Sequence, residues 1–311
     1  MALTLDDVDW KVRLPEPPKS LPLYETTAPT LKDRSRAMEV IGKQLGLNEL
    51  RPVELPHSVV YASRRGEVEF FPASGGLWAR NAELGDRHDN ELRDWPGLVE
   101  SRGQDDTAFT LDRDHTKRLL EQARSLFADA GLAADAMTAG VVALDQVAEL
   151  DEKGKELRRG AGTATARFAY AIEGLPVFGA GAKTLAYLEP ERGQAIVTGM
   201  FHAWRPVTGK IGLTLAPVQD ALGVGLLQDP ELVEYHARGY RLEITHLEFG
   251  YMALPATVRQ TYLFPAFEVE GRAFQADRKG DEFFFGRHHH AASPEQYEKA
   301  GAFADYLVRM N

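Results

Sequence analysis

The stretch EGLPVFGAGAKTLAYLEPERG, residues 173–193, decides which fold the sequence predicts. It contains Gly-Ala-Gly-Ala-Lys-Thr, which is close to a phosphate-binding loop. Such a loop has the pattern Gly-x-x-x-x-Gly-Lys-Ser/Thr and lies between a strand and a helix. Here Ala182 separates Gly181 from Lys183, and the residues after Lys183 alternate and then reach the turn Pro190–Gly193. The pattern therefore predicts strands on both sides of a bend, and it argues against a nucleotide site.

The segments that flank this stretch also have regular patterns. In TATARFAYAIEG, residues 163–174, apolar side chains alternate, and GQAIVTGMFHAW follows at 193–204. Upstream, LDRDHTKRLLEQARSLFADAGL places apolar residues at helical spacing and closes on a glycine. We expect three consecutive antiparallel strands over residues 163–202, with a helix over 113–130 packed on one face and Phe127 in the core.

The same order, a helix followed by strands, occurs earlier in the chain. A helix is predicted over residues 30–46, and three strands are predicted between 57 and 84. Consecutive strands joined by short turns form antiparallel sheets, so the sequence predicts an α+β fold with each sheet covered on one face by helix. Because single cores rarely grow beyond about 250–300 residues, we expect two modules, 1–105 and 106–311. The first starts with a Pro-rich arm, and the second ends with a helix.

Composition and charge argue against several classes of partner. Lys and Arg number 36 and Asp and Glu number 46, so the net charge is −10 and the chain lacks the overall basic character expected for binding nucleic acid or anionic membranes. No apolar run approaches the roughly 20 residues that span a membrane. The absence of cysteine removes disulfides and thiolate metal sites. Since the start has no signal-peptide pattern, we expect a cytoplasmic protein.

The motif Gly174-Leu-Pro-Val177 points to a family. In chain order there is a strand, this motif with Gly179 after it, a second strand, a turn with Gly193 and a third strand. That order resembles the PepSY and FTP-type propeptide modules in the precursors of thermolysin-like peptidases.

Two later segments extend the resemblance. Residues 216–222 resemble the family's short helix, and residues 264–269 resemble its closing strand. The resemblance covers about residues 112–275 and, more faintly, 30–85. It implies two PepSY-like modules, each an antiparallel sheet with a covering helix.

Members of that family act as intramolecular chaperones or inhibitors, or as sensory and binding domains. The resemblance therefore implies a non-catalytic protein that binds a peptide or another protein. The sequence has no His-Glu-x-x-His motif, so the peptidase itself is absent. The chain is also similar to the orphan peptide-binding proteins of ribosomal peptide natural-product biosynthesis of the crocagin type. That similarity implies a precursor peptide as the ligand, and the first resemblance leaves a peptidase as the alternative partner.

Aromatic side chains are the candidates for contact with such a ligand. The run DEFFFGR, residues 281–287, places three Phe in a row, so in a strand at least one points away from a one-sided core. Burial between the sheet and the terminal helix is the alternative. No catalytic or cofactor-binding motif is recognised, so we expect neither catalysis nor a cofactor. The predicted peptide-binding residues are Phe168, Tyr170, Tyr187, Phe283, Phe284, Phe285 and Arg287.

The rival hypothesis is an enzyme whose site is dispersed over a sheet face. His246 and Glu248 lie two residues apart on a predicted strand and share a face, and His202 lies on another strand. These three residues form a metal site only if their strands pair in register. The run His288–His290 is predicted as a solvated loop, with a loop metal site or a pH-sensitive patch as functional alternatives. A structural or assembly subunit is the third class.

Overall fold

The computed structural model describes residues 3–85, 91–102, 107–275 and 282–306. Among the described residues, 46% are in strands and 21% in helices, and most strands belong to two large sheets. The predicted α+β fold of two PepSY-like modules, each a small sheet covered by helix, is therefore wrong. The protein is mainly β. Many more segments pair as strands than the alternation of apolar and polar residues in the sequence indicates.

The strands range from three to thirteen residues in length. In chain order they are β1 (Val8–Trp10), β2 (Ser20–Thr26), β3 (Arg51–Glu54), β4 (Val59–Ser63), β5 (Gly66–Phe71), β6 (Gly76–Asn81), β7 (Leu98–Arg102), β8 (Thr107–Leu111), β9 (Val141–Leu150), β10 (Glu156–Phe168), β11 (Tyr170–Ile172), β12 (Leu175–Phe178), β13 (Lys183–Glu191), β14 (Gln194–Ala203), β15 (Val207–Thr214), β16 (Arg241–Met252), β17 (Tyr262–Phe274) and β18 (Glu282–His290).

The helices are short except for one. They are α1 (Ser35–Gln44), α2 (Ala82–Gly85), α3 (Arg113–Asp129), α4 (Val218–Leu227), α5 (Pro230–Ala237), α6 (Pro294–Lys299) and α7 (Phe303–Tyr306), with a 3-10 turn at Leu5–Asp7. The long helix α3 begins where the Asp112 side chain accepts a hydrogen bond from the His115 backbone N–H. Asp229 caps α5 in the same way. The predicted terminal helix is divided into α6 and α7, and its last residues, 307–311, lie outside the described part.

The first sheet contains the strands on both sides of the turn Pro190–Gly193. Its strand order is β3-β4-β5-β6-β14-β13-β10-β9, and every pairing is antiparallel. Helix α3 packs on one face, where Phe127 is fully buried and its ring centroid lies 5.9 Å from that of Phe168. The predicted helix over 113–130 is therefore confirmed as α3, and β10, β13 and β14 are antiparallel neighbours; the prediction that the three strands are consecutive is wrong, because β11 and β12 intervene.

The chain does not pass directly from β10 to β13. It first forms the short hairpin β11–β12, which belongs to the second sheet, and then returns through Gly179 and Gly181. Lys183 begins a strand, which excludes the nucleotide-loop interpretation. The predicted turn between β13 and β14 has Arg192 and Gly193 at φ 51° and 79°, the positive values of a tight hairpin turn.

The second sheet is built around the long antiparallel hairpin β16–β17. Its main order is β11-β12-β16-β17-β2-β15; in addition, β1 pairs with the start of β16, and β18 pairs with β17. Helices α4 and α5 lie on one face, where Leu222, Leu232 and Phe267 are buried. The other face is open along part of β16, β17 and β18, and it carries several charged side chains.

The predicted module boundary near residue 105 does not separate these sheets. Strand β6 pairs with β14, and β2 pairs with both β15 and β17. Each large sheet thus contains strands from both predicted modules, 1–105 and 106–311. The Pro-rich arm supplies β2, whose Leu23 is fully buried.

Candidate binding edge and sheet face

Two of the predicted peptide-binding residues are core residues. Phe168 and Tyr170 are each 1% exposed. The Tyr170 ring stacks on Trp204 at 4.2 Å, and its hydroxyl lies 2.6 Å from Thr184 Oγ1. Burial raises the pKa of Tyr170 to about 12. Since both side chains are buried, neither can reach a ligand. The prediction failed because alternation shows which residues share a face but not which face a helix or a second sheet covers.

Tyr187 is half-buried on β13, and burial raises the pKa of its hydroxyl. It belongs to the first sheet, whereas residues 283–287 belong to the second. The seven predicted residues therefore do not form one surface.

Phe285 and Arg287 stabilise the fold. Phe285 is 7% exposed and belongs to the core beneath α4 and α5. Arg287 Nε lies 2.6 Å from Asp229 Oδ2, and the same guanidinium pairs with Glu231. Both acids lie at the start of α5, so Arg287 attaches this helix to β18 and is not free to bind a ligand.

Phe283 and Phe284 are the accessible members of the set. Phe283 is 38% exposed, and its ring stacks on Tyr235 of α5 at 5.0 Å. Phe284 is 80% exposed. Because successive strand residues point to opposite faces, these two rings lie on the two sides of β18.

Strand β18 has an unpaired outer side, called here the β18 edge (residues 282–290). Within the described residues, β17 is its only partner strand. The two strands pair through nine consecutive residues without a register shift, and β18 contains neither proline nor lysine. Natural edge strands usually carry prolines, lysines or bulges that prevent further pairing. The β18 edge is therefore a regular strand, in which the Gly286 carbonyl oxygen accepts a hydrogen bond from the Arg287 guanidinium at 3.0 Å.

Other sheet edges are better protected. Strand β3 is short and contains Pro52. Strand β9 has two register shifts against β10, and the Gln146 amide bonds both the N–H and the C=O of Phe109 on the neighbouring β8. Strand β15, an edge of the second sheet, contains Lys210 and has a register shift against β2. Compared with β3, β9 and β15, β18 is the better template for an added strand.

Polar side chains cluster on the open sheet face beside this edge. Glu248, Glu268 and His288 are directly opposite one another across β16, β17 and β18, and His246 lies two residues before Glu248. The His288 ring donates from Nε2 to Glu268 Oε1 at 3.0 Å, and this bond is the main reason that the pKa of Glu268 is lowered. We call these four residues the His–Glu cluster.

His202, the third member of the hypothesised metal site, lies elsewhere. It is 1% exposed in the first sheet, with Nδ1 2.9 Å from Thr184 Oγ1 and Nε2 3.5 Å from Arg34 Nη2. Because Arg34 can only donate, Nε2 accepts and the Nδ1–H donates to Thr184. Burial lowers the pKa of His202 to about 3. A site built from His202, His246 and Glu248 is therefore wrong, since the first residue belongs to a different sheet.

The run His288–His290 is part of a strand, not the predicted loop. His288 and His290 point to one face, where His290 Nδ1 lies 3.2 Å from the Tyr297 hydroxyl. His289 points to the other face and is 8% exposed, and burial lowers its pKa to about 4. The three rings therefore cannot bind one ion together.

The sequence pattern does not reveal Glu268 and His288 as partners of His246. Glu268 lies in FPAFEVEG, which resembles only a closing strand, and His288 lies in a run that predicts a loop. The alternation of charge in HLE and FEVE is the available signal, but strand pairing is needed to bring these residues together. In the described part of the chain, no helix has the length and apolar character needed to cross a membrane.

The comparisons identify a fold and no family. No family model and no curated protein matches the sequence. The structure is similar to the crystal structure of an uncharacterized protein from Eubacterium rectale, with 8% sequence identity and a TM-score of 0.50 over 88% of this chain and 84% of that chain. At this level of identity, the likeness concerns the fold alone.

Proposed function

We propose that this protein binds an extended segment of polypeptide, which pairs as an added strand with the β18 edge. The observation that carries the proposal is the regular edge of nine residues, which has no second partner strand among the described residues. Strand addition draws affinity from main-chain hydrogen bonds and specificity from the side chains that alternate along the edge. It needs no compact set of catalytic residues.

The aromatic residues of β18 suit this mode of binding. Phe284 lies on the open face and is 80% exposed, and Phe283 lies on the other face beside Tyr235. An added strand places its own side chains alternately on these two faces. We expect the ligand to carry apolar or aromatic side chains opposite Phe284, because cross-strand aromatic pairs stabilise a sheet.

Charge favours a ligand with lysine or arginine. The chain carries a net charge of −10, and Glu268, Glu270 and Glu282 lie on or beside β18. A second copy of the chain would bring a second acidic surface to the same edge, which like-charge repulsion disfavours. The proposed occupant is therefore a separate peptide. A precursor peptide or a segment of a peptidase is the ligand class that the sequence resemblances imply.

The experiment selects ligands from random peptides displayed on phage, using the whole chain as bait. Selected peptides are then measured by fluorescence anisotropy against wild type, Phe284→Lys and Val141→Lys. The lysine in Phe284→Lys removes the aromatic contact and charges the edge. Val141→Lys is the matched control, since Val141 is a 62% exposed apolar residue on the other long edge strand, β9.

We expect Phe284→Lys to weaken binding at least about tenfold and Val141→Lys to leave it within about twofold. The opposite pattern would assign binding to β9 and contradict the proposal. Failure to select any peptide would also contradict it, as would a stable dimer in light scattering that Phe284→Lys dissociates. Circular dichroism of each variant verifies that it is folded.

A further inference from the structure

We infer that the His–Glu cluster is a binding site for a divalent transition-metal ion. The proposed ligands are His246 Nε2 and one carboxylate oxygen each from Glu248 and Glu268, with His288 orienting Glu268. The site does not depend on the proposed peptide binding, and each can fail without the other.

The distances between the ligand atoms suit one small ion. His246 Nε2 lies 3.9 Å from Glu248 Oε2 and 4.0 Å from Glu268 Oε2, and the three ligand atoms all lie within 4.8 Å of one another. Two atoms that each bind a tetrahedral ion at about 2.1 Å are separated by about 3.4 Å. The two histidine–carboxylate distances must contract by about half an ångström and the distance between the carboxylate oxygens by at most about 1.4 Å, which rotation of the side chains can provide.

The register of the sheet favours a cation at this place. Glu248 and Glu268 are directly opposite on adjacent strands, a position in which like charges destabilise a sheet. In the described chain, neither carboxylate has a Lys or Arg partner within ion-pair distance, and Lys183 attracts Glu268 only from farther away. A bound divalent cation would replace this repulsion with two attractive contacts.

His288 has a positioning role. It donates to Oε1 of Glu268, whereas Oε2 of the same carboxylate faces His246. The hydrogen bond therefore holds the carboxylate so that its second oxygen points at the proposed ion. Such outer partners of metal ligands change metal affinity by about 10–100-fold when they are removed.

The donor atoms indicate the class of metal. One imidazole nitrogen and two carboxylate oxygens suit Zn²⁺ and similar first-row ions better than Ca²⁺, which prefers only oxygen ligands. His246 and Glu248 have side chains that are 44% and 48% exposed, so an ion can enter from solvent. Three protein ligands leave a position for water or for a group of a bound molecule.

The test uses Zn²⁺ itself. Whole protein freed of metal with a chelator is titrated with Zn²⁺ in competition with a chromophoric chelator, for wild type, Glu248→Gln, Glu268→Gln and Glu282→Gln. Glu282 is the control, because it is an exposed carboxylate on the same sheet face, six residues before His288 on β18. We expect one Zn²⁺ per chain, at least about tenfold weaker binding for the first two variants, and a change within about twofold for Glu282→Gln.

Absence of Zn²⁺ binding to wild type would overturn the inference. So would an equal effect of Glu282→Gln, which would indicate general attraction to an acidic surface. Should Glu268→Gln fail to fold, the exposed Glu248→Gln decides the question alone.

The role of His288 is tested with a conservative pair of variants. His288→Ala removes the hydrogen bond to Glu268 and is expected to weaken Zn²⁺ binding about 10–100-fold. His288→Gln retains a donor and is expected to restore most of the affinity. Binding that survives both glutamate variants but is lost in His288→Ala would move the ion to the histidine run and overturn the proposed ligands.

Discussion

Buried aromatic and histidine side chains fix the packing of helix α3 and the interior of the first sheet. Phe127 meets Phe168 between α3 and β10, and Tyr170, Thr184 and His202 form a hydrogen-bonded chain that crosses three strands. Polar groups at such depth are stable only when each has a partner. The residues in this region are therefore sensitive both to loss of volume and to a change of protonation.

Replacement of Phe127 by alanine should lower the free energy of unfolding by about 3–5 kcal/mol. The side chain is fully buried, so the variant loses the burial of the ring and leaves a cavity beneath α3. Urea denaturation measures the change, with Phe284→Ala as the control. That residue is 80% exposed, so its loss should alter stability by less than about 0.5 kcal/mol. Equal effects of the two variants would contradict the packing described for α3.

His202 should make the protein less stable as the pH falls. Its pKa is about 3 in the folded protein and near its ordinary value of 6.5 in the unfolded chain, so the unfolded chain binds the proton first. The stabilisation is complete above about pH 6.5 and declines as the pH falls toward 3. When the pH falls from about 7.5 to about 5, this single group lowers the free energy of unfolding by about 2 kcal/mol.

The measurement is the free energy of unfolding of wild type and His202→Gln at both pH values. Glutamine preserves some of the hydrogen bonds but takes up no proton. Between the two pH values, the free energy of unfolding of His202→Gln should therefore change by about 2 kcal/mol less than that of wild type. His289, with a pKa of about 4, contributes in the same direction in both proteins and does not affect the comparison. An unchanged pH dependence in the variant would show that His202 is not held neutral.

Among the elements, the segment between β12 and β13 governs how the two sheets are connected. Gly179 has φ 86°, and a Cβ placed there would lie 2.5 Å from the carbonyl oxygen of Ala253. At Gly181, a Cβ would overlap the carbonyl oxygen of Leu254. The glycines that resemble a phosphate loop in the sequence are thus needed because two backbones pass each other closely.

Gly181→Ala should destabilise the protein by about 1–3 kcal/mol or more, since a backbone must move to admit the methyl group. Gly212→Ala is the matched control. Gly212 is exposed on β15, and no atom lies within 4 Å of the position that a methyl group would occupy there, so its replacement should be neutral or slightly stabilising. Thermal unfolding of both variants measures the contrast, and equal melting temperatures would refute the proposed close approach.

Individual elements are more predictable than their partners. The apolar spacing around Phe127 and the glycine that follows it indicate α3, and alternation indicates β10, β13, β14 and β16. Strand β2 is hidden by Pro22 and by the prolines on either side of the strand, and α5 is missed although Asp229 and Pro230 form a recognisable start. For β18, three consecutive Phe give no clean alternation, so its buried and exposed faces cannot be assigned from the sequence.

At the scale of the whole molecule, long-range strand pairing defines the fold. Strands near the N-terminus complete both sheets, as when β6 pairs with β14 more than a hundred residues later. Short motifs and alternation carry little information about such partners, because a strand pattern is compatible with many neighbours. For the same reason, the two-module hypothesis is wrong although many of its strands are correct, and the His–Glu cluster becomes visible only once the register is known.

The proposed pairing of a polypeptide with the β18 edge can be observed by amide hydrogen exchange, measured with and without a phage-selected peptide. Outward-facing amides of an edge strand exchange with solvent, and an added strand supplies the hydrogen-bond partners that slow exchange. We predict increased protection within residues 282–290 when the peptide binds, with no change in residues 141–150 of β9. Peptide binding that leaves exchange in 282–290 unaltered, or that protects 141–150 instead, would contradict the claim.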